Sequence, residues 1–187
     1  MKSSTKVGNR TARPRSVIEK LRKLYTLFAR DDKVLIIINA DPDSMASAMA
    51  FKRLVLQKVN RTTIAHFNEI KRIDNMTMVT LLQIPLVKLE EITLENFTKI
   101  ILLDAQPHHH MHFKGIEYDV VIDHHPKEMF LKAPFVDIRP EYGATSTIIT
   151  EYLRAAKILP ATGLATALLY AIRVDTQNFR ADALEED

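Results

Sequence analysis

The sequence predicts an α/β fold built on a mainly parallel sheet. Three observations carry that expectation. Residues 34–38, 100–103 and 120–122 are short, unbroken apolar runs, as expected of strands buried on both faces. Segments with apolar residues at helical spacing alternate with them. An acidic residue follows each run closely, with Asp43 after the first, Asp104 after the second and Asp123 after the third. Ligands of such sheets bind beyond the carboxyl ends of the strands. The three aspartates are therefore expected to meet at one edge.

The elements follow in order. Residues 1–15 are polar and basic, with Gly8 and Pro14, and are expected to form a disordered tail. Ser16 is placed to cap a helix whose inner face is Val17, Ile18, Leu21, Leu24, Tyr25 and Phe28, ending at Asp31-Asp32. The first strand, over 34–38, stops at Asn39-Ala40-Asp41-Pro42-Asp43-Ser44. A second helix is expected from about Met45 to Lys58. Residues 62–67 read as a strand, 75–83 as a helix stopped by Pro85, 99–103 and 119–122 as strands, and 145–157 and 161–173 as helices.

Composition excludes several classes. The 187 residues and 21.4 kDa suffice for one domain with its own core. The absence of cysteine removes disulfides, thiolate zinc sites and cysteine nucleophiles. Four glycines are too few for a series of Gly-rich phosphate loops. No apolar run reaches transmembrane length, and no secretory leader is recognisable, so a cytoplasmic protein is expected. The net charge of +3 is uneven. Residues 1–30 carry nine Lys/Arg against Glu19, a surplus of +8, whereas the remainder carries −5. The basic end could make a weak nucleic-acid contact, or it could be a solvated helix face. Only Tyr25 and Phe28 accompany it, which argues against base stacking there.

Six of the seven histidines lie between 108 and 125. Clustered carboxylates repel one another, and a divalent cation removes that cost. With imidazole available and thiolate absent, the donor set suits Mn²⁺ or Mg²⁺. Asp123-His124-His125-Pro126 is the sharpest signal, because it ends a buried strand. The run His108-His109-His110 lacks that setting and reads as a solvated loop.

These residues resemble those of the DHH phosphoesterase superfamily. Four motifs stand in the family's order within about residues 33–180: Asn39 to Ser47, Asp104 after its strand, Asp123-His124-His125-Pro126, and Asp175 within Ala171 to Phe179. Gly143-Ala144-Thr145-Ser146 resembles the segment that opens the helix after the third motif. The resemblance implies a three-layer α/β sandwich with a roughly five-stranded sheet, over residues 16–180. It implies a related group of exopolyphosphatases, oligoribonucleases, pyrophosphatases and single-strand exonucleases. It also implies one or two metal ions held by Asp43, Asp104, His124 and Asp175, with Asn39 as a weak ligand. Asp41 is either a further ligand or a helix N-cap. The first motif departs from the family's His-x-x-x-Asp-x-Asp. Asn39 stands at the histidine and Met45 at the second aspartate, so each metal site loses a donor.

The chemistry implied is attack on phosphorus by water ionised near Asp104. The catalytic set would be Asp104, His124, His125 and Asp123, with Asp123 orienting its neighbouring histidine. His125, Thr145, Ser146 and Arg173 would face substrate phosphate, although Thr145 and Ser146 could simply cap a helix and Arg173 could pair with Asp175. The family's C-terminal substrate-binding domain is expected to be absent, with residues 181–187 an acidic end or the start of a linker. The leading expectation is a manganese-dependent hydrolase of a phosphodiester or phosphoanhydride bond. Its partner would be a phosphorylated small molecule or short oligonucleotide, with a homodimer admissible. The alternative is a catalytically impaired module that binds a nucleotide or regulates a partner.

Overall fold

A computed structural model describes residues 13–127, 131–180 and 187. The expected disorder of residues 1–12 and the acidic stretch 181–186 lie outside them. The apolar runs form a six-stranded, wholly parallel sheet: β1 (Lys33–Ile38), β2 (Arg61–His66), β3 (Leu86–Lys88), β4 (Lys99–Leu103), β5 (Val120–Asp123) and β6 (Phe135–Ile138). Their order is β3-β2-β1-β4-β5-β6. Among the described residues, five helices accompany it: α1 (Arg13–Tyr25), α2 (Pro42–Val55), α3 (Ile73–Leu82), α4 (Thr145–Ala155) and α5 (Thr162–Asp175).

β1 lies between β2 and β4, and its residues Val34 to Ile38 are fully buried. Alternate side chains of the strand serve two separate cores, as the period of two requires. Ile36 and Ile38 join the core shared with α2, α4 and α5, to which α1 and α3 also contribute. Leu35 and Ile37 join the core on the opposite face. That second face carries no α-helix among the described residues. Its cover comes from 3-10 turns at Leu89–Glu91, Leu94–Asn96 and Met111–Phe113 and the segments around them. The α/β class stands, and the third layer consists of turns.

Four differences from the sequence reading have local causes. The sheet has six strands because β3 and β6, of three and four residues, join its edges. β3 is only three residues long, and Asp137 interrupts the apolar run of β6, so neither displays a recognisable run. α1 begins at Arg13, so Ser16 lies inside the helix and is not its cap, and residues 13–15 are helical. It ends at Tyr25, and turns then lead to Asp31-Asp32. α2 begins at Pro42, three residues before Met45, because Asp41 caps it and Pro42 occupies its first turn.

The Asp41 cap is reciprocal. Its Oδ1 accepts from the Ser44 amide at 2.9 Å, and the Asp41 amide donates to Ser44 Oγ at 3.0 Å. Ser44 Oγ also donates to the Asn39 carbonyl at 2.8 Å. Ser44→Ala should lower stability by about 1 kcal/mol, read as a lower urea midpoint with an unchanged slope.

The basic N-terminal region is partly committed to structure. Lys20 of α1 donates to Asp137 of β6 at 2.5 Å. Asp137 is buried and also accepts from Arg139 and Tyr152. Among the described residues, no helix is long and apolar enough to cross a membrane.

Candidate metal centre

The strand order reverses between β1 and β4, and the crevice beyond that reversal is where such sheets bind ligands. Asp43 enters it from the first turn of α2, Asp104 from the end of β4 and His124 from just after β5. Asp175, the last residue of α5, closes the group.

Asp43 is fully buried and caps a helix distant in sequence, α4. Its two oxygens accept from the Thr145 amide at 2.6 Å and the Ser146 amide at 2.8 Å. The α4 N-cap position is Ala144, which has no side chain for the task. Asp43 therefore satisfies amides that α4 could not satisfy itself, at the positive end of its dipole. Thr145 and Ser146, expected either to face a phosphate or to cap a helix, open α4 with their amides turned to Asp43. Both are buried, their amides are engaged with Asp43, and the Thr145 hydroxyl donates to Asp104 Oδ1 at 2.8 Å. Ser146 Oγ lies 3.2 Å from Ser47 Oγ.

Asp104 sits in the left-handed region, with φ of 59°, a conformation that aspartate tolerates better than most residues. Its amide still pairs with the Ile122 carbonyl at 2.9 Å. The turn thus points the side chain into the crevice while the backbone remains tied to β5. Burial raises the Asp104 carboxyl well above the ordinary carboxylate range, and the charges of Asp43, Asp41 and Asp123 raise it further. Asp175 is pushed up to about 7, first by burial and then by Asp43 and Asp41.

His124 is oriented by backbone. Its Nδ1 lies 3.1 Å from the Tyr142 carbonyl, so Nδ1 carries the proton and Nε2 presents a lone pair. Nε2 lies 3.6 Å from Asp104 Oδ1 and 3.7 Å from Asp175 Oδ2. These distances exceed hydrogen bonding and leave room for a shared ion. Ligand atoms of Asp43, His124 and Asp175 lie within 4.8 Å of one another, as do those of Asp104, His124 and His125. Hard oxygen donors, one imidazole and a raised cost of carboxylate charge all fit a divalent cation.

The two departures in the first motif have different fates. Met45 is fully buried in the α-helical core, so its position adds no donor. Asn39 is exposed at the end of β1, with its carbonyl bonded to Ser44 Oγ. Asp41 is committed to capping, and its carboxyl is raised mainly by burial, with Asp43 adding to the shift. Arg173 does not join the group. Two residues apart on a helix do not share a face. Arg173 is exposed, and it donates to Asn178 Oδ1 at 2.7 Å where a phosphate or an ion pair with Asp175 was expected.

Asp123 is fully buried and holds His125, with Oδ1 at 2.7 Å from Nδ1. Its Oδ2 accepts from Gln106 Nε2 at 2.7 Å. Burial alone would raise the Asp123 carboxyl. The His125 bond and charge, together with the Gln106 bond, outweigh burial and hold it below its ordinary value. The Asp123 bond in turn raises His125 against the effect of burial. Asp123→Asn should therefore make His125 titrate at lower pH, followed by the ring C–H resonances in an NMR titration.

Gln106 is a residue of this cluster that sequence reasoning missed. It is buried, and it also donates to the Pro126 carbonyl at 3.0 Å, tying the loop after β4 to the loop after β5. The signal available was a lone amide two residues after Asp104. The Tyr142 carbonyl offered none, since a backbone acceptor can belong to any residue.

The model of the DHH family, N-terminal domain, matches residues 33–172. A Methanocaldococcus jannaschii protein of uncharacterised function is 38% identical over 154 residues. The match covers 82% of this chain and 32% of that protein, so the chain spans about a third of its curated relative. An exopolyphosphatase-related protein from Bacteroides fragilis superposes with a TM-score of 0.65 at 14% identity, covering 96% of this chain and 54% of that one. A Methanococcus jannaschii protein assigned to the family II inorganic pyrophosphatases gives 0.58 at 20% identity, covering 82% and 52%. At these identities the two structures speak for the fold.

Proposed function

The chain belongs to the DHH family as an N-terminal domain, and we propose from that premise that it hydrolyses a phosphodiester or phosphoanhydride bond using Mn²⁺ or Mg²⁺. Family membership supports a phosphoric ester or anhydride hydrolase in broad terms. The observation that carries the finer reading is the placement of His124 Nε2 between Asp104 and Asp175, with Asp43 beside them. Asp43, Asp104, His124 and Asp175 would hold the ion. Such an ion supplies Lewis acidity, lowering the pKa of water and polarising a phosphoryl oxygen.

The remaining work falls to residues of the chain. Thr145 fixes the Asp104 carboxylate through its hydroxyl, and the Tyr142 carbonyl fixes the His124 tautomer. His125, whose Nδ1 is held by Asp123, would offer its outer ring edge to a phosphoryl oxygen, and the Asp123 bond favours the protonated form. Gln106 keeps Asp123 aimed at His125. A cytoplasmic location and a nucleotide, short oligonucleotide or polyphosphate substrate accompany this reading. The test is hydrolysis of bis(p-nitrophenyl) phosphate with Mn²⁺. Turnover should appear with the ion and stop with EDTA, and its absence in both conditions contradicts the proposal.

A second reading is favoured by one observation, the burial of Met45 where the family pattern has a carboxylate. On that reading the domain binds a nucleotide without turnover. Asn39→His with Met45→Asp should then create activity. Wild-type turnover that the double change leaves unaltered contradicts it.

A further inference from the structure

Beside the metal centre, past the ends of β2 and β3, lies a cleft of about 480 Å³. That volume is in the range of small-molecule sites. Its walls include Phe67, Lys88 and His112. Phe67 follows β2 directly, and its ring is stacked with two imidazoles. His110 lies 4.2 Å from it at an interplanar angle of 28°, and His112 lies 4.8 Å from it at 13°. The two imidazoles are 4.8 Å apart at 17°.

These distances fix the arrangement. Rings on opposite faces of Phe67 would be separated by two stacking heights, roughly 7 Å. At 4.8 Å they must lie side by side on one face. Their Nδ1 atoms meet at 2.9 Å, and His110 Nδ1 also accepts from the His112 amide at 3.3 Å. His110 therefore supplies the bare nitrogen and His112 the N–H, which locks both rings in a near-flat raft. Phe67 backs the raft from the second core, also meeting Phe113 edge to face at 5.1 Å, and His112 is exposed.

The raft is tied to the metal centre. Asn68 accepts from the Ala40 amide at 2.7 Å and donates to its carbonyl at 2.9 Å, gripping the loop that carries Asp41 and Asp43. The histidines lie on the same post-β4 segment as Asp104 and Gln106. A flat, backed, partly exposed aromatic surface next to a phosphate-type centre is what a nucleobase stacks on.

We propose that Phe67, His110 and His112 form a stacking platform for a nucleobase, so that the substrate class is a nucleotide or oligonucleotide and not bare polyphosphate or pyrophosphate. The proposal rests on the hydrolase reading for its phosphate half only. The platform itself needs no metal and no turnover. Its chemistry is base-tolerant, since every base offers a π-face.

The experiment compares binding of AMP and ribose 5-phosphate by isothermal titration in Mn²⁺, and follows the His112 ring protons by NMR as adenosine is added with no metal. Wild type should bind AMP about tenfold more tightly than ribose 5-phosphate. His110→Ala/His112→Ala should remove that difference, and His112→Phe should restore it relative to His112→Ala. Circular dichroism confirms that each variant is folded. Adenosine alone should shift the His112 resonances. If those shifts occur while no hydrolysis is found, the hydrolase reading fails and the platform stands. Equal affinities in wild type, an unchanged preference in the double variant, or no adenosine-induced shift each overturn the platform.

Discussion

Asp104→Asn should yield a folded protein that has lost Mn²⁺ affinity and about 10³-fold of its turnover, measured as phosphodiester hydrolysis at saturating ion. The side chain is nearly isosteric, and its Oδ1 can still accept from the Thr145 hydroxyl. What disappears is a charge placed among Asp43, Asp41 and Asp123 in a buried crevice. The same substitution should therefore stabilise the metal-free protein, seen as a higher Tm in EDTA. Lost activity with gained apo stability is the signature of a carboxylate retained for binding a cation. A variant that loses both would mark Asp104 as a packing residue.

The metal-free protein should lose stability as pH rises from about 4 to about 7. The Asp175 carboxyl is pushed up to about 7 in the fold, against 3.8 as its ordinary value. Between those values the folded chain holds a proton that the unfolded chain has released. Stability then falls with rising pH, by the linkage relation. Asp175 alone accounts for roughly 2–4 kcal/mol across this window, and Asp104 shifts in the same direction. Saturating Mn²⁺ should reverse the trend, because the ion competes with those protons. Urea titrations at pH 4.5 and pH 7.5, with EDTA and with Mn²⁺, provide the check. A pH-independent apo midpoint would contradict the electrostatic account of the crevice.

Much of this arrangement was legible in the chain. The runs at 34–38, 99–103 and 119–122 announced central strands because both faces are buried, which leaves no polar alternation to confuse the pattern. The acidic strand ends could be read because a parallel sheet gathers its carboxyl ends at one edge. The edge strands β3 and β6 escaped because the first offers only Leu86 and Val87 before Lys88, and Asp137 breaks the apolar run of the second. The second face, which carries no α-helix among the described residues, escaped for a different reason. Its cover comes from scattered residues such as Leu94, Phe113 and Tyr118, which share no period.

Within the site, Asp43, Asp104, His124 and Asp175 were identifiable from type and order, and the structure brings them together. The roles of Thr145 and Ser146 were not. Their amides look like an anion seat until Asp43, about a hundred residues earlier in the chain, is seen to fill it. Arg173 misled through sequence proximity to Asp175, which a helix converts into separation. The histidine run 108–110 read as a loop, and its relation to Phe67 could not be read, because a ring stack across forty residues leaves no local pattern.

The most direct test of the metal centre is anomalous scattering from crystals soaked in Mn²⁺. A peak should lie among His124 Nε2, Asp104, Asp175 and Asp43, and it should vanish in Asp104→Asn. A fully soaked crystal with no peak there, or with manganese bound only elsewhere on the chain, would contradict the central claim.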